Sequence, residues 1–172
     1  SNRARLMPEK EDTRKALSAF LRVTPEEIII TRNTSESNNL VSNGLDLKAG
    51  DEVIVHADNH PSNLTAWVEK GKRFGFSVVT IEQKNPHPGQ EYYVETFTRA
   101  ITPRTRVAFV ANPNNPTGTW VPAAEQHAYI AAAPGHVLIA LDEAYFEYTE
   151  GLGLQDGIAW LREFPNLVVF RT

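Results

Sequence analysis

Six short apolar runs, rich in β-branched residues, recur along this chain with a helix-like stretch between successive runs. They are Ile28–Thr31, Glu52–Val55, Ser77–Ile81, Val107–Ala111, Val137–Leu141 and Leu167–Arg171. Their apolar residues are nearly continuous rather than alternating, the pattern of strands buried on both faces. The intervening stretches predict helices near Thr13–Leu21, Ser35–Leu45, Ser62–Phe74, Tyr92–Ile101, Pro122–Ala132 and Gln155–Phe164. Gly44, Gly75 and the pair Pro134-Gly135 fall where helices should stop. Strand–helix–strand alternation predicts an α/β fold, a doubly wound, mostly parallel sheet with helices on both faces. Residues 84–90, with Pro86, Pro88 and Gly89, read as a surface loop within a single domain spanning 1–172.

Composition narrows the function. The 172 residues carry 17 Lys+Arg against 21 Asp+Glu, a formal charge of −4, which argues against a nucleic-acid partner. No apolar run approaches the ~20 residues of a membrane span, and the first residues carry no apolar stretch of a secretory leader. A cytoplasmic chain is expected. Cysteine is absent, which excludes thiolate metal sites and cysteine nucleophiles within these residues.

A doubly wound sheet binds ligands just beyond the carboxyl ends of its strands. After Ile28–Thr31 comes Arg32-Asn33-Thr34-Ser35-Glu36, in which Thr34 or Ser35 either caps a helix or, with the free N–H groups there, holds an anion such as a phosphate. After the second run comes His56-Ala57-Asp58-Asn59-His60-Pro61. Pro61 keeps His60 out of a helix, so the two histidines do not share a face and no metal is expected. An imidazole there is either an ordinary loop residue or a surface that stacks on a flat ligand. Asn112-Pro113-Asn114-Asn115-Pro116-Thr117-Gly118 is a constrained turn with two Asn-Pro steps, more than a simple connection requires. Finally Asp142, at the end of a buried strand, either caps the next turn or meets a cation, with Tyr145 in reach of the same place. Together these strand ends suit one flat, phosphorylated, protonatable heteroaromatic ligand.

These segments resemble the fold-type I pyridoxal-5′-phosphate (PLP) enzymes, which include most aminotransferases. Residues 13–106, through Thr31-Arg32-Asn33-Thr34-Ser35-Glu36, the stretch 44–53 and Asn59-His60-Pro61-Ser62-Asn63, are similar to class V aminotransferase-family proteins. Residues 107–172, through the stretches 111–118, 141–148 and 164–169, are similar to histidinol-phosphate aminotransferases of class I/II. A seam near Arg104–Val107 gives the expectation of a chimera, with a 1–106 class V-like part and a 107–172 part. The resemblance implies PLP as cofactor, a large-domain fold and roles for six residues. Thr34 and Ser35 would hold the phosphate, and His60 would stack on the ring. Asn115 and Tyr145 would reach the phenolic oxygen, and Asp142 would pair with the ring nitrogen. It also implies a cis Asn115–Pro116 bond, an amino-acid or oxo-acid substrate and a homodimer.

Such enzymes need a lysine to bond the cofactor. The six lysines, Lys10, Lys15, Lys48, Lys70, Lys72 and Lys84, follow no strand's carboxyl end. The family's lysine is expected just after Thr172, so no catalytic residue is expected within the chain, which should be inactive by itself. The resemblance leaves two alternatives to an aminotransferase-type domain. One is a class V desulfurase, epimerase or lyase, and the other a non-catalytic chimera.

Overall fold

The computed structural model describes residues 2–82, 84, 88 and 90–172. The chain forms two compact units, residues 1–32 and 33–172. The first holds helix α1 (Asn2–Leu21) and a 3-10 turn at Pro25–Glu27. The expected helix at Thr13 therefore begins about three turns earlier, and its ladder runs past Pro8. Ion pairs Arg5–Glu9 and Arg14–Glu11 line its surface, and Arg14 also donates to the Pro25 carbonyl.

Residues 28–31 are not a strand, contrary to expectation, although Ile28 is extended. The β-branched side chains favour extended backbone, yet a strand requires a ladder, and the five-stranded sheet does not include this segment. Ile29 is 77% exposed.

The second unit alternates strands and helices. In order come α2 (Thr34–Gly44), β1 (Glu52–His56), α3 (Pro61–Phe74), β2 (Ser77–Ile81) and α4 (Gln90–Ala100). Then follow β3 (Thr105–Ala111), α5 (Ala123–Ala131), β4 (Leu138–Asp142) and β5 (Leu167–Phe170). Short 3-10 turns at Phe146–Thr149 and Gly157–Trp160 lie between β4 and β5. A full helix at Gln155–Phe164 does not form. Asp156 caps a single 3-10 turn by accepting from the Ile158 N–H at 2.9 Å, and Pro165 closes off any extension. The expected loop at 84–90 lies largely outside the described residues.

All four strand pairings are parallel, in the order β2-β1-β3-β4-β5. Side chains alternate between two cores. Val53, Val55, Val107, Phe109, Ala140 and Phe170 pack with Trp67 of α3 and Val41 of α2. On the other face Ile54, Ala108, Val110, Ile139 and Leu141 pack with Phe97 of α4 and Ile130 of α5. The sheet is therefore doubly wound, as the apolar runs predicted. Gly75 ends α3 at φ +82° with its N–H on the Gly71 carbonyl, a left-handed cap suited to glycine. Among the described residues no helix is long and apolar enough to cross a membrane.

Candidate functional site

In this strand order the chain leaves β1 in one direction and returns to β3 on the other side, so the crossovers diverge at β1/β3. That switch point opens a crevice at the carboxyl edge of the sheet. A cleft of about 600 Å³ lies there, and Thr34, Ser35, His60, Asn115, Asp142 and Tyr145 all line it. Residues far apart in sequence are gathered because every one of them sits just after a strand or at a helix start on this edge.

Asn33, not Thr34 or Ser35, caps α2: its Oδ1 accepts from the Glu36 N–H at 2.9 Å. The expected cap is thus displaced by one residue, which leaves the hydroxyls of Thr34 and Ser35 in the first turn uncommitted to capping. A helix start with free N–H groups and hydroxyls favours an anion. His60 caps α3, its Nδ1 accepting from the Ser62 N–H at 3.2 Å and lying 2.7 Å from Ser62 Oγ. This fixes the tilt of the ring in the cleft. His56 is elsewhere, with Nε2 3.0 Å from the Tyr129 hydroxyl on the α5 side, so the two imidazoles part company. Burial holds His56 down at about 4.

Asn115 donates from Nδ2 to the Tyr145 hydroxyl at 3.1 Å, so the β3–α5 loop and the β4 exit meet at their tips. Both Asn112–Pro113 and Asn115–Pro116 are cis. Asp142 ends β4. Its Oδ1 accepts from the Ala144 N–H at 3.1 Å, the turn cap that the sequence left open as one reading. Burial raises the Asp142 carboxyl above the usual aspartate range, while the Ala144 N–H and His60 pull it back. A cationic N–H donor at its other oxygen would offset that burial.

Sequence reasoning missed several lining residues, among them Asn38, Asn59, Asn63 and Tyr148. Asn38 is 1% exposed, and neither its amide nitrogen nor its oxygen has a partner among the described residues. It lies one turn beyond Thr34 and Ser35 on the same helix face, the only signal that could have found it. No lysine lines the cleft among the described residues. Lys48 sits in the turn entering β1, with its N–H on Asp51, and Lys70 bonds Asn39 and Ser42 of α2. Among the described residues no group of three metal-ligating side chains forms.

Residues 2–145 match the family described as Aminotransferase class-V. A histidinol-phosphate aminotransferase from Anaeromyxobacter is 36% identical over 160 residues, 92% of this chain and 42% of that protein. Among solved structures, histidinol-phosphate aminotransferase from Sinorhizobium meliloti in complex with pyridoxal-5′-phosphate superposes with a TM-score of 0.77 at 27% identity, covering 96% of this chain and 42% of that one. A cysteine desulfurase from Escherichia coli follows at a TM-score of 0.65 and 27% identity, covering 83% and 36%. Where the match runs along nearly the whole chain, it spans about two fifths of the curated relative's length. Both the class-V match and the Anaeromyxobacter match run through Arg104–Val107. The chain belongs to the class-V aminotransferase family and has the large-domain fold of fold-type I aminotransferases.

Proposed function

We propose that this chain is a PLP-binding part of an aminotransferase. The observation that carries the reading is the convergence of Thr34, Ser35, His60, Asn115, Asp142 and Tyr145 on one cleft at the switch point. Their chemistry fits the cofactor group by group. The first turn of α2 offers N–H groups and two hydroxyls to a phosphate. His60, held by Ser62, presents a flat face for the ring. Asn115 and Tyr145, already 3.1 Å apart, offer an amide donor and a hydroxyl to a phenolic oxygen. Asp142 offers a half-buried carboxylate to a ring N–H and would keep that nitrogen protonated. The Asn38 amide, without a partner among the described residues, leaves further hydrogen-bonding capacity in the wall. When bound, the cofactor supplies the electron sink for bond breaking at an amino acid's α-carbon. The protein's part is to orient the ring and fix its protonation.

With no lysine on the cleft among the described residues, the chain binds the cofactor without a covalent link and turns over no amino acid. The whole protein acts on an amino acid and an oxo acid as a cytoplasmic homodimer. A class V desulfurase, epimerase or lyase is the second reading, favoured by the placement of His60 and the likeness to the cysteine desulfurase.

The test is a titration of the purified chain with PLP, followed by borohydride reduction and peptide mass spectrometry. Saturable binding that dialysis reverses is expected, with scattered, substoichiometric labelling of lysines. Absence of saturable binding overturns the reading. A stoichiometric adduct on one of the six lysines, with measurable transamination, overturns the non-covalent part of it.

A further inference from the structure

Successive side chains at the end of β4 point to opposite sides. Asp142 lines the cleft, and Glu143 next to it is fully buried away from it. Glu143 Oε1 accepts from the Gly157 N–H at 2.9 Å, and Oε2 accepts from Arg171 Nη1 at 3.2 Å. Arg171 also donates to Asp156 at 3.1 Å and to Glu147, and its guanidinium lies 4.3 Å over the Phe146 ring. Gln126 of α5 reaches Glu143 Oε1 at 3.5 Å through Nε2 and accepts from Asn112 Nδ2 through Oε1. Asn112 in turn exchanges two 2.9 Å hydrogen bonds with the Val121 backbone. Asn112 and Gln126 are buried, and none of Asn112, Gln126, Glu143 or Arg171 lines the cleft.

The result is a closed circuit. Asn112, Gln126 and Glu143 tie the base of the Asn-Pro loop to the base of the 142–148 segment, and the tips of the same two segments meet at Asn115 and Tyr145. Arg171 extends the tie to the exit of β5. Apolar residues of similar volume would stabilise this location at least as well as a buried ion pair. The circuit's distinctive property is geometric: it fixes the spacing of two loops that carry Asn115, Asp142 and Tyr145. Burial pushes the Glu143 carboxyl up to about 7, offset in part by the Gly157 N–H and by Arg171, so its charge state is sensitive to these partners.

We propose that Glu143 and Arg171 are positioning residues, which set the two cofactor-facing loops in register through the buried Asn112–Gln126–Glu143 circuit. This rests on the PLP reading for its purpose, but the coupling of the loops is testable without ligand. The experiment compares Glu143→Gln and the neutral pair Glu143→Gln/Arg171→Met with the parent chain. It uses nuclear magnetic resonance of the Asn115 carboxamide and Tyr145 ring, then PLP titration under conditions where each chain is folded. The double variant leaves no unpaired buried charge and answers the question should Glu143→Gln alone fail to fold. Expected are displaced Asn115 and Tyr145 signals in the variant that folds, and PLP binding weakened about tenfold. Arg171→Lys, which retains the charge, should recover part of both. Unmoved Asn115 and Tyr145 signals in a folded variant overturn the proposal, because a merely structural role lowers stability without moving them. Signals that move in the folded variant, when the parent chain itself binds no PLP, support the coupling and overturn the cofactor reading instead.

Discussion

The Asp142 carboxylate and the His56 imidazole show how burial assigns different work to residues on one sheet edge. Asp142 is raised by burial and has an oxygen to spare for a donor in the cleft. Asp142→Asn should weaken PLP binding by about tenfold or more, the scale of a hydrogen bond to a charged group, and should shift the absorbance of the bound ring away from its protonated form. Unchanged affinity and spectrum would remove Asp142 from the site. His56 is held neutral beside Tyr129, with Asp58 the charged group acting on it. Its pKa is lowered from 6.5 to about 4, so the unfolded chain binds more protons than the folded one between those values. The stability that His56 contributes is therefore present above pH 6.5 and is lost as pH falls toward 4. Between pH 7 and 4.5 the parent should lose about 2 kcal/mol more than His56→Gln, read as the shift in urea midpoint multiplied by the denaturant slope.

At the scale of elements, close approach decides what a segment becomes. A Cβ on Gly157 would stand 2.5 Å from Leu141 Cδ2 and 2.9 Å from Glu143 Oε1. Gly157→Ala should destabilise the chain by about 1–3 kcal/mol through this overpacking, measured by urea unfolding; a loss near zero would show that the 157–160 turn yields freely. The same contact explains what the sequence concealed. Residues 155–164 have helix-like composition, but the requirement that Gly157 bring its N–H onto Glu143 is invisible in one dimension. Residues 28–31 carry the β-branched signature of a strand but lie outside the five-stranded sheet, because propensity records backbone shape and not a neighbour. By contrast 52–55 and 107–111 were legible, since continuous apolar runs are most stable between two layers, and 77–81, an edge strand with Ser77 and Thr80 exposed, was legible from its β-branched residues. His60, Asn115, Asp142 and Tyr145 were legible as a group for the related reason that a parallel sheet brings its carboxyl ends together, whereas Thr34 and Ser35 were sought after a strand at 28–31 that does not form and reach the cleft as the start of α2. Asn38, Asn59 and Asn63 were not, because a polar residue on a helix or loop ordinarily faces water, and only the packed structure shows these buried.

The molecule as a whole is organised so that its cleft belongs to no single segment. Thr34 and Ser35 reach it from the start of the second unit, Asp142 and Tyr145 from β4 and Thr172 from beyond β5. On the proposed reading PLP would engage these segments together, and it should raise the melting temperature of the chain with the logarithm of its concentration above Kd, adding about 2.7 kcal/mol at a hundredfold excess over Kd; inorganic phosphate at the same concentration, held by the α2 start alone, should add much less. Equal shifts from the two would place the binding energy on the phosphate by itself. The parallel order β2-β1-β3-β4-β5 has a temporal counterpart. No two neighbouring strands can be joined by a hairpin, so each pairing waits for a crossover to close, and non-local pairings of this kind are slow to form. The walls of the cleft come from both ends of that sequence of closures. A ligand that needs all of them can recognise the chain only when assembly is finished, so on the proposed reading the onset of PLP binding during refolding would mark the completion of the sheet.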